Sequence, residues 1–377
     1  MKVISRIAAA ASAAALLLSC QVQEQHILVH NPSDFDRMGE TVELDFDNLL
    51  SSVKNLSAEN AVVVDASGAQ VASQIYTESD GHSVLLFQPS LQAGASMTYT
   101  VKPGEREDFP IVAYSRHVPE RLDDYAYEND LVAGRIYGPA LSDPRTFGCD
   151  VWLKCTSRLI LDEWFQKMDY HHNYGDGMDC YKVANTLGGG AVAPYSGESI
   201  CLGDNWATQT HICDGPIRTK AAFTFNDIEL DGRKIKVTKE ISLDAGSRFV
   251  KSTTWFNAED GADIPVVAGA VLHEVISRED GQNWIAFTEV ASDTKQPEID
   301  GNISIALVLS PEMTAESTTT MQSHAVITST AKSGQGVTAW TGSGWSQGGI
   351  ESPEAWARQV ERFAACVATP LEVTLVK

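Results

Sequence analysis

The chain has 377 residues, with 28 lysines and arginines against 50 aspartates and glutamates, and a formal net charge of −22. A surface this acidic repels phosphate backbones and anionic lipid, which excludes nucleic acid as a partner. The length exceeds the about 100–200 residues of a usual single domain, so two domains, or one large domain with a small partner, are expected.

The N-terminal "MKVISRIAAAASAAALLLSCQ" opens with Lys2 and Arg6 and runs apolar to Leu18, the pattern of an export signal. That run is shorter than the about 20 apolar residues a membrane-spanning helix needs. "LLSC" matches a bacterial lipobox. Residues 1–19 are therefore expected to be removed as a lipoprotein signal peptide, leaving Cys20 as a lipidated first residue. The chain then sits in the cell envelope, periplasmic or on the outer membrane, and touches the membrane only through that anchor. The removed segment holds Lys2, Arg6 and no acid, so the mature charge becomes −24.

Residues 20–105 carry short alternating stretches, "HILVHNP", "ETVELDF", "SVLLFQP" and "MTYTVKPG", separated by polar turns. Their spacing predicts a small N-terminal β-sandwich. "PGEREDFP" reads as a linker, and residues 106–377 as a second, mainly β unit. In that unit "KIKVTKEISL" puts Ile235, Val237, Ile241 and Leu243 on one face. The turn "DAGS", with Gly246 in the loop, and the returning "RFVKSTTWFN" make a hairpin. Helices are few. "SPEAWARQVERFAACV" is the clear one, with Ser352 at the N-cap, Pro353 in the first turn, and Trp356, Val360, Phe363 and Val367 as an apolar stripe. "SRLILDEWFQKM" is a weaker second. Five of the six cysteines left after Cys20 lie within residues 149–213. An exported compartment permits disulfides, but the pairing cannot be read from sequence, and without a C-x-x-C pair no structural zinc site is expected.

Three blocks interrupt the alternation with polar and aromatic residues. "RLDDYAYENDLVAGRIYGP" holds Tyr127, Glu128, Asn129, Arg135 and Tyr137. "DVWLKC" holds Trp152. "DYHHNYGDGMDCYKVANTLGGGAVAPY" holds Tyr170, His172, Asp176, Asp179, Tyr181 and Lys182. Arg218 in "GPIR" and His273 in "AGAVLHEV" add to them. Aromatic faces that cover the apolar face of a pyranose, beside planar polar groups for its hydroxyls, fit an oligosaccharide site. Asp176 and Asp179 are spaced to offer oxygen ligands to a hard cation such as calcium, but the loop lacks the EF-hand pattern, and no cofactor is otherwise implied. The glycines at 188–190 lack the lysine and hydroxyl of a phosphate loop and imply close backbone approach. With no G-x-S-x-G, a nucleophile elbow is unsupported.

The words "PERLDDYAYENDLVAGRIYGPAL", "DVWLKC", "YHHNYGDGMDCYKVANTLGGGAVAPY", "GPIR" and "GSGWSQGGIESPEAWARQVERFA" resemble, in this order, the domain of unknown function 4861 family. The likeness runs from "HILVHNP" to "PLEVTLVK". It implies an exported protein of a polysaccharide-degrading bacterium, encoded beside polysaccharide lyases and unsaturated glucuronyl hydrolases, and brings no established reaction. More loosely, "ISLDAGSRFVKSTTWFNAEDGADIPVVAGAVLHE" is similar to the central strands of galactose-mutarotase-like supersandwiches, with His273 closing a strand. That likeness implies a large antiparallel β-supersandwich for residues 106–377. The early "NxR" strand of epimerases is not visible.

These residues frame a β-elimination on a uronic-acid oligosaccharide. Such a reaction neutralises the carboxylate next to C5 and removes the C5 proton. Asn129 and Arg135 are the candidates for neutralisation. His172 or Tyr181, with His273 as an alternative, are the candidates for the base. Tyr127, Tyr137, Trp152, Tyr170, Lys182 and Arg218 are the remaining substrate-binding candidates. A glycoside hydrolase would instead use a carboxylate pair such as Glu128 with Asp179. A glycan-binding lipoprotein without catalysis and a sugar epimerase are the other readings. Asn129, Arg135, His172, Tyr181 and His273 are expected to converge on one cleft of about 300–1,000 Å³, the size usual for ligand pockets. Residues 116–182 hold 8 basic and 12 acidic side chains, so an anionic substrate would depend on local cations.

Overall fold

The computed structural model describes residues 22–376 other than 143–145, 168, 292 and 295. The targeting segment and Cys20 lie outside those residues. The described chain is mainly β, with antiparallel pairing throughout the named sheets.

The first sandwich packs two sheets. One runs Glu372–Val376, Gln25–His30, Ser96–Pro103, Ala61–Val64; the other runs Val42–Asp45, Ser83–Phe87, Ser73–Thr77. Ile27, Val29, Phe46, Leu85, Phe87 and Val101 form its core. The short helix Phe46–Ser52 begins where the Asp45 carboxylate accepts from the Asn48 amide, satisfying one of the helix's free N–H groups. The chain's last strand pairs with Gln25–His30. It crosses back over the division at residue 105 read from the sequence, so the first and last strands of the described residues meet in one sheet.

The second unit is a supersandwich. Its large sheet runs Trp206–Cys213, Arg218–Phe225, Arg233–Asp244, Phe249–Ala258, Gly336–Trp345, Asn302–Leu309, Trp284–Val290, Val275–Asp280, with Ile228–Leu230 beside Arg233–Asp244. Opposite it stand two five-stranded sheets. One is built from Tyr114–Val118, Asp124–Glu128, Val132–Ile136, Cys149–Lys154 and Gly177–Asp179; the other has Ile264–Val271 and His324–Ala331 at its centre. A single core joins all three, with Phe223, Val237, Phe256, Ile305 and Val326 among its members. The predicted alternation in Arg233–Asp244 holds, but Lys239 shares the inward face and lies buried with its ammonium 5.1 and 5.2 Å from the Phe147 and Phe225 rings. Gly246 turns the hairpin at φ +74°.

The outer face of the large sheet is half covered by the helix Pro353–Ala368, capped by Ser352 as expected. Trp356, Val360 and Ala364 bury against Phe249, Ala306 and Val308, and the Trp356 indole donates to the Ile305 carbonyl at 3.0 Å. Glycines 188–190 are a packing seam. A Cβ would lie 2.3 Å from the Cys149 carbonyl at Gly188, 2.1 Å from Val151 at Gly189 and 2.0 Å from Thr341 at Gly190. All six cysteines from Cys149 to Cys366 are unpaired.

Candidate functional site

The polar blocks singled out from sequence fold into the interior. Arg135 is the centre of one knot. Its guanidinium reaches Asp150 at 2.7 Å, Asp179 at 3.1 Å, Asp124 at 3.4 Å and the Tyr170 hydroxyl at 3.1 Å. Tyr137, Trp152 and Tyr170 rings surround it at 4.9–5.3 Å. Every one of these residues is buried. Burial pushes the Asp124 carboxyl up to about 6 against the pull of Arg135. Burial, then the Asp150 charge, holds Asp179 well above the usual carboxylate range. The knot is an internal network closed to solvent, in which Asp179 Oδ1 is a buried oxygen without a hydrogen-bond partner, and it leaves no room for a sugar. Tyr127 belongs to the same sheet and is core, its hydroxyl lying over Gly134 where a Cβ would come within 2.6 Å.

Glu128 is not available as a catalytic acid. It is buried, accepts the Ile160 and Leu161 amides at the start of the helix Leu161–Lys167, and pairs with Lys154 at 2.8 Å. Asn129 is equally spent. Its amide donates to the Asp244 and Ser247 carbonyls, and its oxygen accepts from Leu131 and Val132. The carboxylate of Asp176 holds Arg158 at 3.0 Å, and Asp179 holds Arg135. Among the described residues no group of three or more His, Cys, Asp or Glu is placed to hold a metal ion.

Tyr181 and His273 do meet, ring edge to ring face at 5.0 Å, and the charge of Asp150 from the knot still acts on the Tyr181 phenol. Tyr181 is buried, its hydroxyl donates to the Val271 carbonyl at 2.9 Å, and burial holds its phenol well above its ordinary range. His273 faces Glu289 at 2.6 Å through Nδ1 and the Lys182 carbonyl at 2.8 Å through Nε2. Two acceptors call for two N–H donors, and although burial opposes the charge, Glu289 outweighs it and raises the imidazole's pKa. Both ring nitrogens are thus engaged within the fold. Lys182 itself is exposed, and His172 sits half-buried in a loop against Tyr174. The expected convergence of Asn129, Arg135, His172, Tyr181 and His273 therefore does not occur. Hydrogen-bonding demand inside a core draws these residue types as strongly as chemistry does.

An open cleft of about 680 Å³ lies elsewhere, over the uncovered part of the large sheet's outer face. One wall is the loop of residues 36–43 from the first sandwich, the opposite wall the helix Pro353–Ala368, and the floor comes from Arg218, Ser242, Phe249, Lys251 and Trp340. Strand alternation sets that floor: Lys251 stands opposite Ser242 on one side and Trp340 on the other, while Val250 and Phe256 point into the core. Phe363 from the helix stacks on Phe249 at 3.7 Å and meets Trp340 edge-on at 6.0 Å, closing an aromatic corner.

Five lysines or arginines and four carboxylates line this cleft, against 28 and 50 in the whole chain. An anion meets far less repulsion there than over the surface at large. Most of these charges have partners. Arg218, the one predicted residue in the cleft, grips Asp244 with two hydrogen bonds of 2.6 and 2.7 Å and Glu43 at 2.6 Å. Arg37 pairs with Glu40 at 2.8 Å and donates to the Thr369 and Cys366 carbonyls. Arg362 donates to the Asp36 carbonyl, and Arg248 to that of Gly348. Among the described residues the half-buried Lys251 ammonium has no hydrogen-bonded or ion-paired partner; the Trp340 ring lies 5.9 Å away. Its charge, with that of Arg218, holds Glu43 below the usual range although burial works the other way. The sequence signal for this site was the outward set Phe249, Lys251, Thr253, Trp255: two aromatic rings on a strand's polar face.

Comparison with known proteins places the fold. The chain is 29% identical over 395 aligned positions, 97% of each chain, to an "uncharacterized protein P7" of Formosa agariphila. Two solved structures share the architecture: a protein in glycosyl hydrolase family 38 and an alpha-mannosidase, both from Enterococcus faecalis. Each has a TM-score of 0.53 at 10% identity and covers 94% of this chain. The chain spans about half the length of those proteins, 48% and 46%, and at this identity they establish the sandwich fold alone. A family model for a domain of unknown function matches residues 29–373, and the chain belongs to that family, DUF4861.

Proposed function

We propose that the chain is a carbohydrate-active protein that binds acidic oligosaccharides, uronic-acid-containing ones foremost, in the cleft over Lys251. The observation that carries this reading is a cation without a hydrogen-bonded or ion-paired partner beside a half-buried aromatic corner. A buried or half-buried charge normally finds a counter-ion, so an unmet ammonium reserves a place for an anionic group. Trp340 and Phe363 offer the apolar faces that a pyranose stacks on. The cavity falls within the about 300–1,000 Å³ usual for ligand sites. The sandwich neighbours are carbohydrate enzymes by name, which fits this reading at the level of fold. The lipobox would tether the cleft to the cell envelope.

Binding is the activity supported best. β-Elimination needs both a carboxylate-neutralising cation and a proton acceptor. Lys251 supplies the first, but no histidine or tyrosine is among the described residues lining the cleft. Isothermal calorimetry with a panel of uronic-acid oligosaccharides, followed in the same samples by ultraviolet absorbance of an unsaturated uronate, tests the reading. Heat of binding without a rise in absorbance is the expected result. Rising absorbance would make the protein a lyase, and no heat with any glycan would remove the site.

A further inference from the structure

A smaller compartment of about 160 Å³ continues from the cleft along the same sheet face. Glu43, Arg218, Ser242 and Lys251 line both spaces. The far end is Trp255, four residues on from Lys251 along one strand. Trp255 stands across from Gly336. A Cβ on that glycine would lie 3.0 Å from Trp255 Nε1 and 3.0 Å from Thr253 Cγ2. The missing side chain leaves room for the half-buried indole, which lines the compartment. Gly342 does the same for Phe249, where a Cβ would come within 2.6 Å of the ring. Between the two, Thr253 and Thr338 share a hydrogen bond of 2.9 Å and make a level floor. On the side wall Lys220 holds Glu78 at 2.5 Å and Glu240 at 3.0 Å. Those carboxylates are fixed, and their remaining lone pairs suit sugar hydroxyls.

We infer, resting on the carbohydrate reading above, that this compartment is a second sugar subsite, with Trp255 and Trp340 as end platforms and Lys251 beside Trp340, so that the ligand is an acidic chain of trisaccharide length or more. Four strand residues span about 13 Å, and the step to the neighbouring strand adds about 5 Å at right angles, so the platforms stand roughly 14 Å apart, about three sugar units. The acidic group that Lys251 takes is a carboxylate or a sulfate ester. The two anions share the same need for a point-charge donor.

The test is calorimetry on the full chain with di-, tri- and tetrasaccharides of a polyuronate, a carboxyl-reduced trisaccharide, and a sulfated neutral trisaccharide. In the wild type, affinity should rise about tenfold from di- to trisaccharide and then level off. In Trp255→Ala, and independently in Gly336→Val, which displaces the indole from the opposite strand, the trisaccharide should fall to the disaccharide's affinity. Lys251→Gln should bring whichever acidic trisaccharide binds down to the level of the carboxyl-reduced one. A disaccharide that binds through Trp340 with no gain on lengthening, or a gain that survives both Trp255→Ala and Gly336→Val, would overturn the second subsite and leave the first standing. Failure of every oligosaccharide to bind would overturn both.

Discussion

Two regions of this molecule hold charged and aromatic side chains together, and they behave oppositely. Around Arg135 one guanidinium meets three carboxylates and three aromatic rings, all out of reach of solvent. Over Lys251 the titratable groups are no denser, but one cation is unmet and the rings at Trp340 and Trp255 face open space. The first arrangement ties strands of one sheet to each other and to the loop that carries Tyr170. The second leaves interactions for something else to make. What separates structure from site is therefore unused hydrogen-bonding capacity on an approachable surface, not the density of reactive residue types.

Mutations can break the contrast from either side. Arg135→Met leaves three buried carboxylates without their cation and should cost about 3–5 kcal/mol or more; urea unfolding would show a collapsed midpoint or no folded protein. The pH dependence is next. Asp124 moves from 3.8 to about 6 on folding, so the native state holds its proton more tightly than the unfolded chain. The stability this lends is fullest below the ordinary value and is lost as pH rises through about 6. Wild-type stability should fall relative to Asp124→Asn by up to about 1.4 kcal/mol per pH unit across that window; parallel curves would show that Asp124 does not titrate there. Tyr181→Phe removes one buried hydroxyl bonded to the Val271 carbonyl, for a loss of about 1 kcal/mol, with glycan binding intact; a binding defect would return Tyr181 to the site. Lys251→Gln should change stability by less than about 1 kcal/mol, because its half-buried ammonium makes no hydrogen bond or ion pair and acts on Glu43 and Asp244 only through its charge. A large loss would mean that Lys251, too, is structural.

Much of the scaffold was legible in the sequence. The period of two in "KIKVTKEISL" and "RFVKSTTWFN" matched the strands Arg233–Asp244 and Phe249–Ala258, and Ser352 capped the helix it was expected to cap. The site was not legible, for a physical reason. Glu128, Asn129, Arg135 and Asp179 have the chemistry of an active centre, but whether a carboxylate is free depends on partners far away in the chain, such as Lys154 for Glu128 and the Asp244 carbonyl for Asn129. Lys251, by contrast, looks like any solvent-facing lysine on an alternating strand. Only the pairing of its strand with Gly336–Trp345, and the helix folding over beside it, make a cleft around it. The glycines of "GVTAWTGSGW" carried a readable hint, since outward-facing glycines in a central strand mark places where a neighbouring ring lies flat.

The indole N–H resonances of the tryptophans, assigned by single Trp→Phe replacements and followed during titration with an acidic trisaccharide, address the central question directly. The Trp340 and Trp255 signals should shift together along one saturation curve, while that of Trp152, inside the Arg135 knot, stays in place. A shift at Trp152 with Trp340 and Trp255 unmoved would contradict the placement of the site and return it to the interior residues that the sequence first brought forward.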